Sequence, residues 1–449
     1  MSPSSRSLRW IVAAVLGGAA VAIALGSSGC DDPYEPPCRV TTRRGLASDP
    51  LISARPAIGL ARVRDRIVAT WTRRDLLDGG AGADAGTSGP PLLTGFEVAI
   101  VDDLGELTTR ATVPAPEALR ARRASVEDAG VVVLDGGFIV HWTETTTSTD
   151  PDGRLRTASV VKASRVSGET AAEPATIFAC EQCVTSGAIV PVDADAVALV
   201  RIDPDVPAGV LGAASPPRFV ALRLRPDGSL VEEAAPWLAL PSRAIADGGI
   251  GGIGGASPAS PTSDLAAYVT RDGLINVTVG GRAWLADDRL RLVAGPIEVP
   301  SASDVHVSWE ASGEAAIGWS VSPFDDGRAD DPIVPREIFT GIVASGAPAI
   351  VSRERTSRGR ATLAFDRRGD DLGIVFESAG RTLFASVDRR GNKHGGDLVL
   401  GSSSAPSRSE YGSIAIPEAH ALVARGDRRF TLLTLGAGEL VATEVVCAP

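Results

Sequence analysis

The sequence predicts an all-β chain of the β-propeller class. Three observations carry that prediction: a recurring apolar hexad, an alternating strand after each copy, and almost no helical periodicity. The hexads are IVATWT (67–72), FIVHWT (138–143), AVALVR (196–201), LAAYVT (265–270), AAIGWS (315–320), LGIVFE (372–377) and HALVAR (420–425). Their starts span 353 residues in six intervals of about 59, the size of one four-stranded unit in a radial repeat.

Each hexad reads as the second strand of its unit. A first strand precedes it in RPAIGLARV (55–63), GVVVL (130–134), GAIVPV (187–192), DVHVSW (304–309), ATLAF (361–365) and YGSIAI (411–416). A third, alternating strand follows in FEVAIVDDLGEL (96–107), RTASVVKASRVSGE (156–169), RFVALRLRPDGSL (218–230), EIFTGIVASG (337–346), RTLFASVDRRGNK (381–393) and RFTLLTLGAGEL (429–440), with the looser LINVTVGGRAWL (274–285) in the fourth unit. Glycines 105, 168, 228, 346, 391 and 438 stand where a tight hairpin needs positive φ. A fourth strand then closes the unit, as in ELVATEVV (439–446). Seven four-stranded blades over residues 51–449 fit this pattern. Six or eight are also compatible, because the glycine-rich stretch 242–261 yields no clean first strand for the fourth unit.

With these strands drawn, the chain resembles exported bacterial β-propeller lipoproteins with degenerate repeats, in which an apolar strand carrying Trp or Phe is followed by an alternating strand and an Asp-and-Gly turn. The resemblance covers roughly residues 51–447 and lies in a strand pattern, not an invariant motif. It implies a fold and an exported location. It assigns no activity, since propellers host binding modules and enzymes alike.

The N-terminus agrees with export. Arg6 and Arg9 precede the apolar run WIVAAVLGGAAVAIAL (10–25), which is short for a membrane span and suits a secretory signal. Ser28-Gly29-Cys30 resembles a lipoprotein cleavage box, although Ser27 occupies a place where that pattern prefers an aliphatic residue. The resemblance implies a signal peptide over 1–29, a lipidated Cys30, and a polar tether over 30–50 that holds the domain to the membrane outside the cytoplasm. Whether that membrane is inner or outer stays open.

Charge excludes one class of partner. The 44 basic and 55 acidic residues give −11, and removing residues 1–29 with Arg6 and Arg9 takes this to −13. A surface of that sign repels phosphate backbones, so nucleic acid is not expected. Lys162 and Lys393 are the only lysines, a bias that codon usage accounts for more simply than anion recognition by arginine.

Beyond Cys30, the cysteines Cys38, Cys180, Cys183 and Cys447 form an even set for an oxidising compartment. Three pairings are open. The most economical joins Cys180 to Cys183 and Cys38 to Cys447, because a ring of blades brings its ends together. The Cys180-Glu-Gln-Cys183 spacing has no second pair and no nearby histidine to make it a zinc or redox site.

Catalytic signatures are absent from the sequence. His141, His306, His394 and His420 are far apart, and no Gly-x-Ser-x-Gly elbow, phosphate loop, sialidase Asp box or WD40 signature is present. STDPDGRLRT (148–157) is the nearest approach to an Asp box and does not match. Trp71, Trp142 and Trp319, with Phe376, recur at one hexad position, and packing of blade on blade explains them better than sugar stacking. No catalytic residue, metal ligand set or cofactor is assigned.

The loops between second and third strands are the remaining signal. They are long in units one (73–93), two (144–155), three (203–217) and five (321–335), and they carry Asp84, Asp150, Asp152, Asp203, Asp205, Asp325, Asp326, Asp330 and Asp331. Oxygen-rich loops are what calcium requires, but none has the spacing of a known calcium loop. In an up-and-down unit these loops and the inter-unit connections share one end, so all long insertions are expected on one candidate binding face. The sequence thus points to a membrane-anchored envelope protein that binds or scaffolds an unidentified protein or glycan. The alternative is a propeller glycosidase or lyase acting through two carboxylates.

Overall fold

The computed structural model describes residues 38–48, 59–75, 92–120, 126–149, 151–153, 155–181, 183–204, 218–231, 235–239, 265–279, 282–298, 302–321, 336–344, 352–359, 361–390, 393–402, 419–436 and 438–448. Among them, seven antiparallel four-stranded meanders account for nearly all regular structure, and a single helical turn, Glu117–Arg120, is the exception. In order from first to fourth strand, blade 1 is Gly59–Val63, Arg66–Asp75, Leu92–Val101 and Leu107–Pro114. Blade 2 is Val126–Leu134, Gly137–Thr149, Leu155–Ser167 and Ala175–Glu181, with Thr170–Ala171 paired on its third strand. Blade 3 is Cys183–Val192, Asp195–Pro204, Arg218–Leu224 and Ala235–Ala239, and blade 4 is Leu265–Val269, Ile275–Val279, Arg282–Ala286 and Leu292–Glu298. Blade 5 is Ala302–Trp309, Ala315–Val321, Arg336–Val343 and Ser352–Gly359, and blade 6 is Ala361–Arg368, Asp371–Ser378, Arg381–Val387 and Leu398–Ser402. Blade 7 takes Ala419–Gly426, Arg429–Gly436 and Glu439–Cys447 from the C-terminal end and Cys38–Ser48 from the other. The fold is a β-propeller.

The hexads fall in second strands in blades 1, 2, 3, 5 and 6, as expected, but in first strands in blades 4 and 7. In blade 4, LINVTVGGRAWL is two strands, Ile275–Val279 and Arg282–Ala286, paired antiparallel with Val279 opposite Arg282. In blade 7 the strand after the hexad is second, ELVATEVV is third, and YGSIAI lies outside the described residues. The displaced fourth place goes to Cys38–Ser48, a segment assigned from sequence to the tether. It pairs along the whole third strand, from Cys38 opposite Cys447 to Ser48 opposite Glu439. Its arginines and threonines face outward and only Cys38 and Ala47 are buried, which is why an outer strand resembles a linker.

Packing runs from blade to blade. Trp71 lies in a cluster with Val423 and Leu433 of blade 7, Trp142 with Val68 and Phe96 of blade 1, Trp319 with Ala283 and Leu285 of blade 4, and Phe376 with Ala316 and Ile338 of blade 5. Every one of these rings is essentially inaccessible and rests on the preceding blade. Each is therefore an interface residue of the ring, of the kind whose truncation costs about 3–5 kcal/mol.

Strand direction separates the two ends of the ring. Asp75 pairs with Leu92, Thr149 with Leu155, Ile202 with Arg218 and Val321 with Glu337, so the second-to-third connections all leave from one end. The other end carries short turns closed by backbone bonds, such as Gly105 N to Asp102 O, Gly228 N to Arg225 O and Gly313 N to Glu310 O. Gly105 and Gly228 hold φ of 78° and 83° there, values that only glycine adopts without strain. Cys38 and Cys447 sit at this short-turn end, where Cys447 N donates to Arg428 O in the first turn of blade 7. The two cysteines are bonded to each other across 409 residues of sequence.

Candidate axial site

The first strands of the seven blades surround a cavity of about 530 Å³. It lies beside the starts and middles of those strands, toward the end from which the second-to-third connections leave. At the opposite end the axis is closed in two ways. Backbone meets backbone where Val63 of blade 1 pairs in parallel with Val269 of blade 4, and Arg64 N donates to Val269 O at 3.0 Å. These two blades thereby share one eight-stranded sheet across the axis.

The second closure is a buried carboxylate. Asp366, at the end of the first strand of blade 6, has no solvent exposure and is reached from four other blades. Its Oδ1 accepts from Arg62 of blade 1 and from Ser308 Oγ of blade 5 at 2.8 Å. Its Oδ2 accepts from Arg271 Nη2 of blade 4 at 2.8 Å and from Ala424 N of blade 7 at 2.7 Å. Arg271 also donates to Asp65, Arg367 O and Ala424 O. Burial alone would raise the Asp366 pKa, but the Arg62 and Arg271 guanidiniums, the Ala424 amide and the Ser308 hydroxyl outweigh it and hold the carboxyl below its ordinary value. The cluster is an ionised seal.

Above this seal the cavity wall is mixed. Arg62 forms part of its floor, with its guanidinium 5.6 Å from the Tyr268 ring centroid. The Tyr268 hydroxyl donates to Val307 O, and burial pushes its pKa up. Trp309 Nε1 donates to Asn276 Oδ1 at 2.7 Å, and Asn276 Nδ2 donates to Thr278 Oγ1 at 3.2 Å, so the amide is committed within the wall. His141, His306 and His420 all face the cavity, although the sequence separates them widely. Burial lowers the His141 pKa to about 4, which keeps that imidazole neutral. Among the described residues no aspartate or glutamate lines the cavity, where the glycosidase reading calls for a pair of carboxylates.

Few of the residues singled out from sequence meet here. Trp71, Trp142 and Trp319 are in the core, outside the cavity lining. Of the loop aspartates, Asp152 is exposed in a turn and Asp203 is in a strand of blade 3, while Asp84, Asp150, Asp205, Asp325, Asp326, Asp330 and Asp331, like Cys30, lie outside the described residues. Cys180 and Cys183 are bonded to each other between the last strand of blade 2 and the first of blade 3. Among the described residues no three His, Cys, Asp or Glu side chains are placed to hold a metal ion. Asp366, Arg271 and Arg62 were missed, and the available signal was a charge ending an apolar inner strand, as in ATLAFD and AAYVTR.

No family model matches the chain, and no curated protein does. Among solved structures it is similar to the Dos1 propeller, at 11% identity over 90% of this chain and 94% of that one, with a TM-score of 0.43. A sialidase of Trypanosoma rangeli in complex with sialic acid gives 11% identity over 92% of this chain and 59% of the sialidase, with a TM-score of 0.33. A protein of unknown function from Bacteroides caccae gives 10% identity over 68% and 89%, with a TM-score of 0.31. Likenesses this distant carry no functional argument, and the assignment to the β-propeller class rests on the sheet order itself.

Proposed function

We propose that the chain is a lipid-anchored, extracytoplasmic β-propeller that binds or scaffolds a partner at the bacterial cell envelope. The observation that supports it is the polarity of the ring. The chain enters the described domain at Cys38, on the short-turn end, while the second-to-third connections leave from the opposite end. The insertion-bearing face is the end away from Cys38, and it is the end offered to a partner. The glycosidase or lyase alternative gains no support from the described residues of the cavity lining, which include no carboxylate.

Labelled palmitate tests the anchor: incorporation is expected in the full chain and lost in Cys30→Ser. Cross-linking in the native cell, followed by mass spectrometry, tests the face. Cross-links are expected to map to 76–91, 150–154, 205–217 and 322–335. Partner peptides joined only to the short-turn end would overturn the assignment of the binding face.

A further inference from the structure

Three of the four bonded cysteines are sealed. Cys38, Cys183 and Cys447 are 1%, 2% and 5% exposed, whereas Cys180 is only half-buried in the outer strand of blade 2. The two cross-links also differ in what they restrain. Cys38 and Cys447 are 409 residues apart in sequence, and Cys180 and Cys183 are three apart. The chain entropy that a cross-link removes from the unfolded state grows with the loop it closes, so the Cys180–Cys183 bond contributes the lesser share of stability. A bond coupled weakly to folding is the easier of the two to reduce.

Both cysteines are held in place without that bond. Cys180 lies opposite Ser159 in the ladder of blade 2, and Cys183 lies opposite Pro204 in the ladder of blade 3. The fully buried Ser159 links the two ladders, its hydroxyl donating to Cys183 O at 3.2 Å. Opening the bond therefore leaves two thiols that remain neighbours, and re-closure needs no rearrangement of either strand. The place matters as well. Cys183 and Pro204 stand at the end of the ring from which the second-to-third connections leave, so the bond spans the joint between blades 2 and 3 on that face.

We infer that Cys180–Cys183 is a reversible thiol–disulfide exchange site, entered through Cys180, whose co-reactant is a dithiol such as a thiol oxidoreductase presents. One thiol of the co-reactant loses its proton and forms a bond to Cys180 Sγ. The Cys180–Cys183 bond breaks, and its electron pair leaves on Cys183 Sγ, which takes up a proton. The second thiol of the co-reactant, as thiolate, then attacks its own partner sulfur in the mixed disulfide and releases Cys180, which is protonated in turn. The dithiol ends as a disulfide, and this chain has gained two electrons and two protons. As the substrate of exchange, the pair needs no histidine of its own. The inference goes beyond the anchor and the binding face and depends on neither, since it concerns the covalent state of one joint.

The full chain, purified in detergent without reductant, is equilibrated at neutral pH with dithiothreitol at graded ratios of reduced to oxidised form. Free thiols are trapped by alkylation and read residue by residue by peptide mass spectrometry. Cys180 and Cys183 are expected to reach half alkylation at a ratio at least about tenfold lower than Cys38 and Cys447, with the circular dichroism unchanged. Two single variants locate the entry. The thiol of Cys180 in Cys183→Ser is expected to react with glutathione disulfide at least about tenfold faster than the thiol of Cys183 in Cys180→Ser. Should either variant fail to fold, the native chain decides, because the mixed disulfide it forms with excess glutathione is mapped directly and is expected on Cys180. Cross-links that open at one ratio or in the reverse order, a Cys180–Cys183 bond that stays closed, glutathione carried on Cys183, or native circular dichroism lost as the bond opens would overturn the inference.

Discussion

Asp366→Asn is the most direct test of how the ring is held at its axis. The substitution keeps the volume but removes the charge. It leaves Arg62 bonded to the Arg64 carbonyl, whereas Arg271 keeps Asp65 and the carbonyls of Arg367 and Ala424. It also turns an acceptor into a donor next to donors, because the Asn amide nitrogen must face Arg62 and Ser308 or Arg271 and Ala424 N. Removing one member of a buried ion pair costs about 3–5 kcal/mol, and the full range applies because one guanidinium of the two is stranded. Equilibrium urea unfolding, with the m-value checked for constancy, measures the loss. The double variant Asp366→Asn with Arg62→Met removes the stranded charge as well and is expected to recover about half of it. A folded-state pKa below the unfolded value means that the carboxylate stabilises fully above about pH 4 and that this contribution is lost as pH falls through the folded pKa. Asp366→Asn should lack that acid limb. A cost under about 1 kcal/mol, or a double variant no more stable than the single, would refute the view of Asp366 as a shared electrostatic tie.

Two further outcomes follow from the same geometry. Cys38 and Cys447 close a loop of 409 residues in sequence and both are buried, so Cys38→Ser with Cys447→Ser should lower stability by about 2–5 kcal/mol in urea, and equality with the native chain would show that the outer strand of blade 7 needs no cross-link. His141, depressed to about 4 by burial, binds its proton more readily in the unfolded chain, so its neutral form stabilises fully above about pH 6.5 and the contribution is lost between there and about pH 4, at about 3 kcal/mol. A titration of the His141 ring by NMR with a midpoint near 6.5 would refute this, and His141→Gln should flatten that part of the stability profile.

The sequence disclosed the strands more fully than their radial places. An apolar run such as LAAYVT carries the same signal whether it is first or second in its blade, because both positions are apolar in sequence although the first strand of blade 4 is largely half-buried beside the cavity and the second strand of blade 5 is buried on two faces. Only the pairing partner decides, and in blade 7 that partner lies some four hundred residues away, in a segment whose exposed arginines resemble a linker. The axial site was invisible for a related reason. Arg62, Arg271, Ser308, Asp366 and Ala424 come from five blades and meet only because every first strand runs in the same direction along the axis. His141, His306 and His420 likewise reach one cavity from three separate units, where local spacing has nothing to report. Hexad aromatics behaved differently. Their recurrence at one position is a local signal, and blade-on-blade packing is what the structure gives them.

The two closures act on one seam. Blade 7 is the blade built from both chain segments, and its neighbours are blades 6 and 1. Asp366 spans that seam from blade 6, taking Ala424 N from blade 7 and Arg62 from blade 1. The cross-link reaches the same place from the rim: Cys447 N donates to Arg428 O, and Arg428 N donates at 2.8 Å to Asp371 Oδ2, in the strand of blade 6 that follows Asp366. Distant, independent sites add within about 0.5 kcal/mol. If opening of the seam is a single event, removing either closure exposes it, and the second removal costs less. Asp366→Asn combined with Cys38→Ser and Cys447→Ser is therefore expected to fall short of the summed losses by about 1–2 kcal/mol in urea unfolding. Strict additivity would show that axis and rim hold the ring independently.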